Sequence, residues 1–151
     1  MKKYILDTNI ISYIEIDSVK STAIKNRLRT LTDDDLVAVS IITLYEMIYG
    51  LNSASNPIQK ESISKAIHFI KKYLHIFPLD LKEVEIFGKL KIKYKNHTGI
   101  NKTAIKKHNL DLLLASTAIA ENAIVVSNDK IFQTISQLEP KFICENWVEN
   151  I

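Results

Sequence analysis

The chain has 151 residues, 46% apolar and 25% charged, with only 3 Gly and 3 Pro. That is the size and balance of one ordinary globular domain, and it excludes disorder, a collagen-like repeat and a coiled coil. The net charge of +3 is too small to identify a nucleic-acid partner by itself. A single cysteine, Cys144, rules out an internal disulfide, argues against a cysteine zinc site and fits a reducing, cytoplasmic setting.

Tyr4-Ile5-Leu6 reads as a buried strand that ends in Asp7-Thr8-Asn9, three residues that can each cap a helix. Asp7 also cuts the N-terminal apolar run too early for a secretory signal. No later run approaches the ~18 apolar residues of a membrane span, so no membrane partner is expected. Ile10, Ile11 and Ile14 then recur at helical spacing, and a second helix is expected over 21–31, with Ile24, Leu28 and Leu31 on one stripe. Asp33-Asp34-Asp35 reads as a turn and Leu36–Val39 as a second strand. Ser40 or Thr43 caps a helix that runs past Glu46 to Gly50, taken as its C-terminal glycine.

The segment 52–55 is the most loop-like, and Asn56-Pro57 opens a helix carrying Ile63, Ala66, Ile67, Ile70 and Leu74 on one face. A third strand is expected over 76–79, with Asp80 able to cap the next helix. The stretch 81–96 is ambiguous, because its lysines alternate with apolar residues as they would in a strand. Residues 98–109 read as a polar, basic loop, 111–121 as a nearly buried helix, 123–126 as a strand, and 141–144 as a last strand after a short helix. Strands alternating with helices predict a single α/β domain over 1–151, with a mostly parallel sheet of four to five short strands flanked by helices.

Open parallel sheets bind ligands at the carboxyl ends of their strands. The residues just past those ends are therefore the candidate site. They are Asp7 after the first strand, Ser40 and Thr43 with Glu46 after the second, and Ser127 and Asp129 after the fourth. Asp111 heads the helix before that fourth strand. Leu114, Ala115 and Ala118 lie on its own helix face, so this carboxylate sits at the head of an apolar stripe, where a charge is costly unless paired or coordinated. Acids gathered in one crevice are tolerable around a divalent cation, and an all-oxygen set favours Mg²⁺ or Mn²⁺. Each acid also has a plain structural use. Asp7 and Asp129 can cap helices, Glu46 can be solvated, and Asp111 suits a first turn.

Between Gly88 and Leu110 lie seven lysines, two histidines and no acid, which fits a phosphate-facing surface or a solvated face. His68, His75, His97 and His108 show no ligand spacing. Tyr45, Tyr49 and Trp147 suit base stacking, with core packing as the default. Glycine-rich phosphate loops are absent.

The four segments 4–9, 40–46, 109–118 and 125–132 together resemble the motifs of PIN-domain ribonucleases, more narrowly the VapC-type toxins of toxin–antitoxin pairs. The resemblance makes Asp7, Glu46, Asp111 and Asp129 the metal-holding and catalytic acids of an Mg²⁺- or Mn²⁺-dependent endoribonuclease. Thr8, Asn9, Ser40, Thr43 and Ser127 would orient carboxylates or waters. Lys89, Lys93, Lys102, Lys106 and Lys107 would contact the RNA. It further implies a cytoplasmic homodimer and a cognate antitoxin, for which Ile10, Ile11, Ile14, Tyr45 and Tyr49 are candidate contacts, though each is as well suited to the core. The alternatives are a housekeeping ribonuclease without an antitoxin and a non-catalytic RNA- or protein-binding module of the same fold.

Overall fold

The computed structural model describes residues 1–16 and 18–148; the C-terminal end of the expected 1–151 domain lies outside them. Five strands form one sheet: β1 (Lys3–Leu6), β2 (Leu36–Ser40), β3 (His75–Phe77), β4 (Ile124–Val126) and β5 (Ile143–Glu145). The order across it is β3-β2-β1-β4-β5, and every pairing is parallel. Seven α-helices join them: α1 (Thr8–Ile14), α2 (Val19–Arg29), α3 (Ile41–Ser53), α4 (Pro57–Tyr73), α5 (Val84–Thr98), α6 (Asn109–Glu121) and α7 (Lys130–Leu138). None of the helices is long and apolar enough to cross a membrane.

Side chains of a strand point alternately to its two faces, and here the alternation divides the interior into two cores. Ile5, Ala38 and Val125 pack with residues of α5, α6 and α7. Their neighbours Tyr4, Leu6, Val39 and Val126 pack with residues of α1, α2, α3 and α4 on the other side. A strand buried on both faces needs continuous apolar sequence, which is why the short runs at 4–6 and 124–126 read as strands at all.

The chain first winds from β1 outward to β3, then crosses back over α5 and α6 to lay β4 on the free side of β1. The sheet therefore reverses its winding between β1 and β4, and there a crevice opens beyond the strand ends.

Local signals place most boundaries. Asp7, Ser40, Asn56 and Asp129 each cap a helix through the side chain. Three expectations need correction, and one ambiguity is settled. Gly50 does not end α3, which continues through Asn52 to Ser53, and the loop there shrinks to residues 54–56. Asn52 and Ser53 return their side chains to the carbonyls of Ile48 and Tyr49, so polar residues that favour loops are accommodated in the last turn. The region 98–109 is a loop only over 99–103, because Ala104–His108 form a 3-10 turn pinned by the buried Ile105. The segment 81–96 resolves into a 3-10 turn (Leu81–Glu83), capped by Asp80, and then α5. Helical winding buries Leu90 and Tyr94, one turn apart, and leaves Ile92 between them 51% exposed, whereas a strand would put all three on one face. The last strand lies slightly later than expected, at 143–145 rather than 141–144.

Candidate active site

Asp7 sits at the carboxyl end of β1, where its backbone N–H donates to the carbonyl of Val126 at 3.0 Å and so ties it to β4. Its carboxylate is buried and divided between two partners. Oδ1 accepts from the Thr8 N–H at 2.8 Å, and Oδ2 accepts from the Ser127 hydroxyl at 2.8 Å. Ser127 in turn accepts from the Asp129 N–H at 3.0 Å. One buried hydroxyl thus links the first acid to the backbone of the fourth across the reversal point of the sheet. Asp129 also caps α7, its Oδ1 accepting from the Ile131 N–H at 3.2 Å.

Glu46 lies on the first turns of α3, exposed, and its Oε1 accepts from the Thr8 hydroxyl at 2.8 Å. The buried Thr43 hydroxyl stands 3.2 Å from that of Thr8. Asp111 projects from the first turn of α6 and accepts no hydrogen bond among the described residues. The Nδ1 of His108 lies 4.0 Å from the Asp111 Oδ2.

The charges of these four groups, which come from four separate parts of the chain, reach one another. Burial raises the Asp111 carboxyl to about 7, and the charges of Asp7, Asp129 and Glu46 add to the rise. Burial also raises Asp7, with the charges of Glu46 and Asp129 reinforcing it against the bonds from Ser127 and Thr8. Repulsion among carboxylates is what a bound cation relieves. Among the described residues no three acid, histidine or cysteine side chains stand tightly enough to enclose an ion. Three of the four acids are instead held by their own hydrogen-bonded partners. The donor set, all oxygen and anionic, nonetheless suits Mg²⁺ or Mn²⁺.

Of the expected orienting residues, Thr8 and Ser127 bond the acids directly, and Thr43 stands behind Thr8. Ser40 bonds none of them, because its hydroxyl is spent on capping Ile42 N–H at 3.1 Å. Asn9 is exposed and its side chain bonds no carboxylate. Lys102, Lys106 and Lys107 are exposed around the turn before α6, whereas Lys89 lies on the side of α5 where Lys93 pairs with Glu139 at 2.8 Å. Ile10 and Ile11 are core residues and Ile14 is half-buried, but Tyr45 and Tyr49 are 71% and 75% exposed, so packing is not their role. Trp147 is buried, and Cys144 is half-buried with its thiol pushed up to about 11, chiefly by burial.

Two residues of the pocket escape a reading by motif. Tyr94, buried on α5, meets His108 edge-on at 5.4 Å, and its hydroxyl is raised by burial and by the charges of Asp111 and Asp129. His108 is held below its ordinary value by burial and by Lys107. The i, i+3 spacing of His108 and Asp111 was the available signal. A depression of about 780 Å³ lies elsewhere, between α2 and Glu145–Trp147, and contains none of the four acids.

A family model described as the PIN domain matches residues 4–138. The chain is 34% identical over 145 residues to Ribonuclease VapC2 of Rickettsia felis, covering 95% of this chain and 97% of that protein. It is 28% identical over 149 residues to Ribonuclease VapC2 of Haemophilus influenzae, covering 98% of this chain and all of that protein. Among solved structures, VapBC2 of Rickettsia felis bound to a promoter DNA fragment superposes with a TM-score of 0.74 at 31% identity, covering 96% of this chain and 98% of that one. VapBC-1 of nontypeable Haemophilus influenzae gives 0.74 at 25% identity, covering 97% and 99%.

Proposed function

The chain belongs to the PIN-domain family and, within it, to the VapC ribonucleases, and on that footing we propose that it is a divalent-metal-dependent endoribonuclease and the toxin of a toxin–antitoxin pair. The observation that carries the reading is that Ser127 joins Asp7 to the backbone of Asp129 while Thr8, next to Asp7, holds Glu46, so that acids distant in sequence meet at the strand ends. A pocket built to keep several carboxylates close has little use without a cation to neutralise them.

In this reading Asp7, Glu46 and Asp111 hold Mg²⁺ or Mn²⁺, and Asp129 completes the set. When bound, the ion lowers the pKa of a water and neutralises charge on the scissile phosphate. Ser127 fixes the rotamer of Asp7, and Thr8, with Thr43 behind it, fixes that of Glu46. The phosphodiester enters from the open side of the crevice, where Glu46 and Asp129 are exposed.

The solved relatives with similar folds are complexes of toxin with antitoxin. For this chain the antitoxin is proposed to cover Tyr45 and Tyr49, one helical turn apart on either side of Glu46, and so to close the crevice. A second copy of the chain and a cytoplasmic setting belong to the same proposal.

Asp7→Asn is the decisive substitution, because Asn keeps the helix cap and removes the charge. The expected outcome is loss of Mn²⁺-dependent RNA cleavage by two orders of magnitude or more, with thermal unfolding still cooperative. Unchanged RNA affinity with no metal-dependent cleavage in the unaltered chain would instead identify a binding module.

A further inference from the structure

Seven lysines and no acid lie between Gly88 and Leu110, and helix geometry sorts those on α5. At 3.6 residues per turn, Lys89 and Lys93 share one side of the helix, and Lys91 and Lys95 share the opposite one. On the first side Lys93 is neutralised by Glu139. On the second, Lys91 and Lys95 face Lys102 and Lys106 across a groove of about 420 Å³, whose floor is Gly88, Ile92 and Ile105. No acid lines this groove. None of its four lysines forms an ion pair among the described residues.

Four cations drawn to one groove without a counter-charge repel one another, and the arrangement suits a polyanion. Two lysines of the groove stand close in sequence to residues that border Asp111. Lys106 shares its 3-10 turn with His108, which lies against Asp111. Tyr94, beside Lys95 on α5, packs against that same histidine.

We propose that this groove carries the RNA backbone away from the scissile position, an inference that rests on the ribonuclease reading above. The four lysines meet successive phosphates as point charges, which positions the strand without reading its sequence. Ribose faces lie over the apolar floor. The substrate is then an RNA that extends several nucleotides beyond the cut, and a dinucleotide is a poor one. An acidic polypeptide would meet the same charges. RNA is favoured because Lys106 shares its turn with His108, which lies against Asp111, where the phosphodiester has to lie.

The test compares Lys91→Gln/Lys95→Gln/Lys102→Gln/Lys106→Gln with the control Lys71→Gln/Lys72→Gln, whose lysines are exposed at the end of α4. The probes are a long unstructured oligoribonucleotide, a dinucleotide and polyglutamate. A single strand loses about 0.7 in the slope of log K against log salt per phosphate contact, so the quadruple variant should be shallower by roughly 3. Its KM for the long RNA should rise by about tenfold or more, and its preference for long over short substrate should collapse. Gly88→Leu gives a second reading without altering charge. A Cβ there meets nothing within 4 Å, so the side chain fills the floor without disturbing the core, and it should raise KM for the long RNA alone. Salt slopes equal to the control would overturn the groove while Asp7-dependent cleavage left the enzyme reading intact. Loss of polyglutamate binding with RNA binding retained would also overturn it, in favour of a protein partner. Absence of any metal-dependent cleavage would remove the ribonuclease reading, and the groove with it.

Discussion

Asp111 concentrates the chemistry of the pocket in one side chain. It accepts no hydrogen bond among the described residues, and burial, reinforced by the charges of three other acids, raises its carboxyl to about 7. Below an ordinary carboxylate pKa near 4 the group is protonated in both folded and unfolded chains, and its ionisation contributes nothing. As pH rises from there to about 7, the unfolded chain ionises while the folded one resists. Stability from this group is therefore lost over that window and stays lost above it. Asp111→Asn should raise the melting temperature of the metal-free protein at neutral pH and leave it unchanged near pH 4. The same variant should lose most of the stabilisation that Mn²⁺ gives the unaltered chain. Melting curves with EDTA and with Mn²⁺, taken at both pH values, check both statements.

At the scale of elements, the glycines separate what a helix tolerates from what it requires. Gly99 ends α5 with φ of 69°, in the left-handed region where a side chain is strained. Gly50 has no such duty. It lies inside α3, and a Cβ added there meets Ile63 Cδ1 at 3.8 Å, an ordinary contact. Gly50→Ala should therefore stabilise the protein by about 0.5–1 kcal/mol, whereas Gly99→Ala should cost about 1 kcal/mol. Chemical denaturation of the two variants distinguishes them, and a destabilised Gly50→Ala would mean that α3 ends where the glycine first suggested. The same scale explains α6. Its residues are buried almost all round, and the hydroxyls of Ser116 and Thr117 are satisfied by the carbonyls of Leu112 and Leu113, so the helix passes through the core without orphaned hydroxyls.

At the scale of the molecule, the pocket exists because the sheet reverses its winding. β4 lies beside β1, so Ser127 reaches Asp7 from 120 residues away in sequence. Acids brought together in this way should not act independently. In the metal-free protein, Asp7→Asn and Asp111→Asn each relieve part of the same repulsion. The double variant should gain less stability than the two single gains added, by about 0.5–3 kcal/mol. A double-mutant cycle by denaturation measures this, and strict additivity would show that the two carboxylates do not feel each other.

The kinds of elements, and the acids at their ends, were legible in the sequence. Buried strands announce themselves as short apolar runs, and Asp7, Ser40, Asn56 and Asp129 announce the helices they cap. Asp111 stood out as a charge at the head of an apolar stripe. These are local relations, fixed by the periods of strand and helix and by the hydrogen bonds a capping side chain can reach. The sequence was least informative where two periods competed. The alternating lysines of 89–95 fit a strand as well as a helix; the family resemblance leaned to the helix, and burial of Leu90 and Tyr94 with Ile92 exposed between them set it, which placed Lys91 and Lys95 apart from Lys89 and Lys93. Residues 98–109 were hidden for the opposite reason, since one buried side chain, Ile105, orders a segment that is otherwise polar. Strand order, the contact of Thr8 with Glu46, the place of Tyr94 and His108 and the exposure of Tyr45 and Tyr49 were decided by the tertiary structure alone. Each depends on which face of one element meets another far away in the chain, and burial of apolar surface, being non-directional, writes no partner's address into the local sequence.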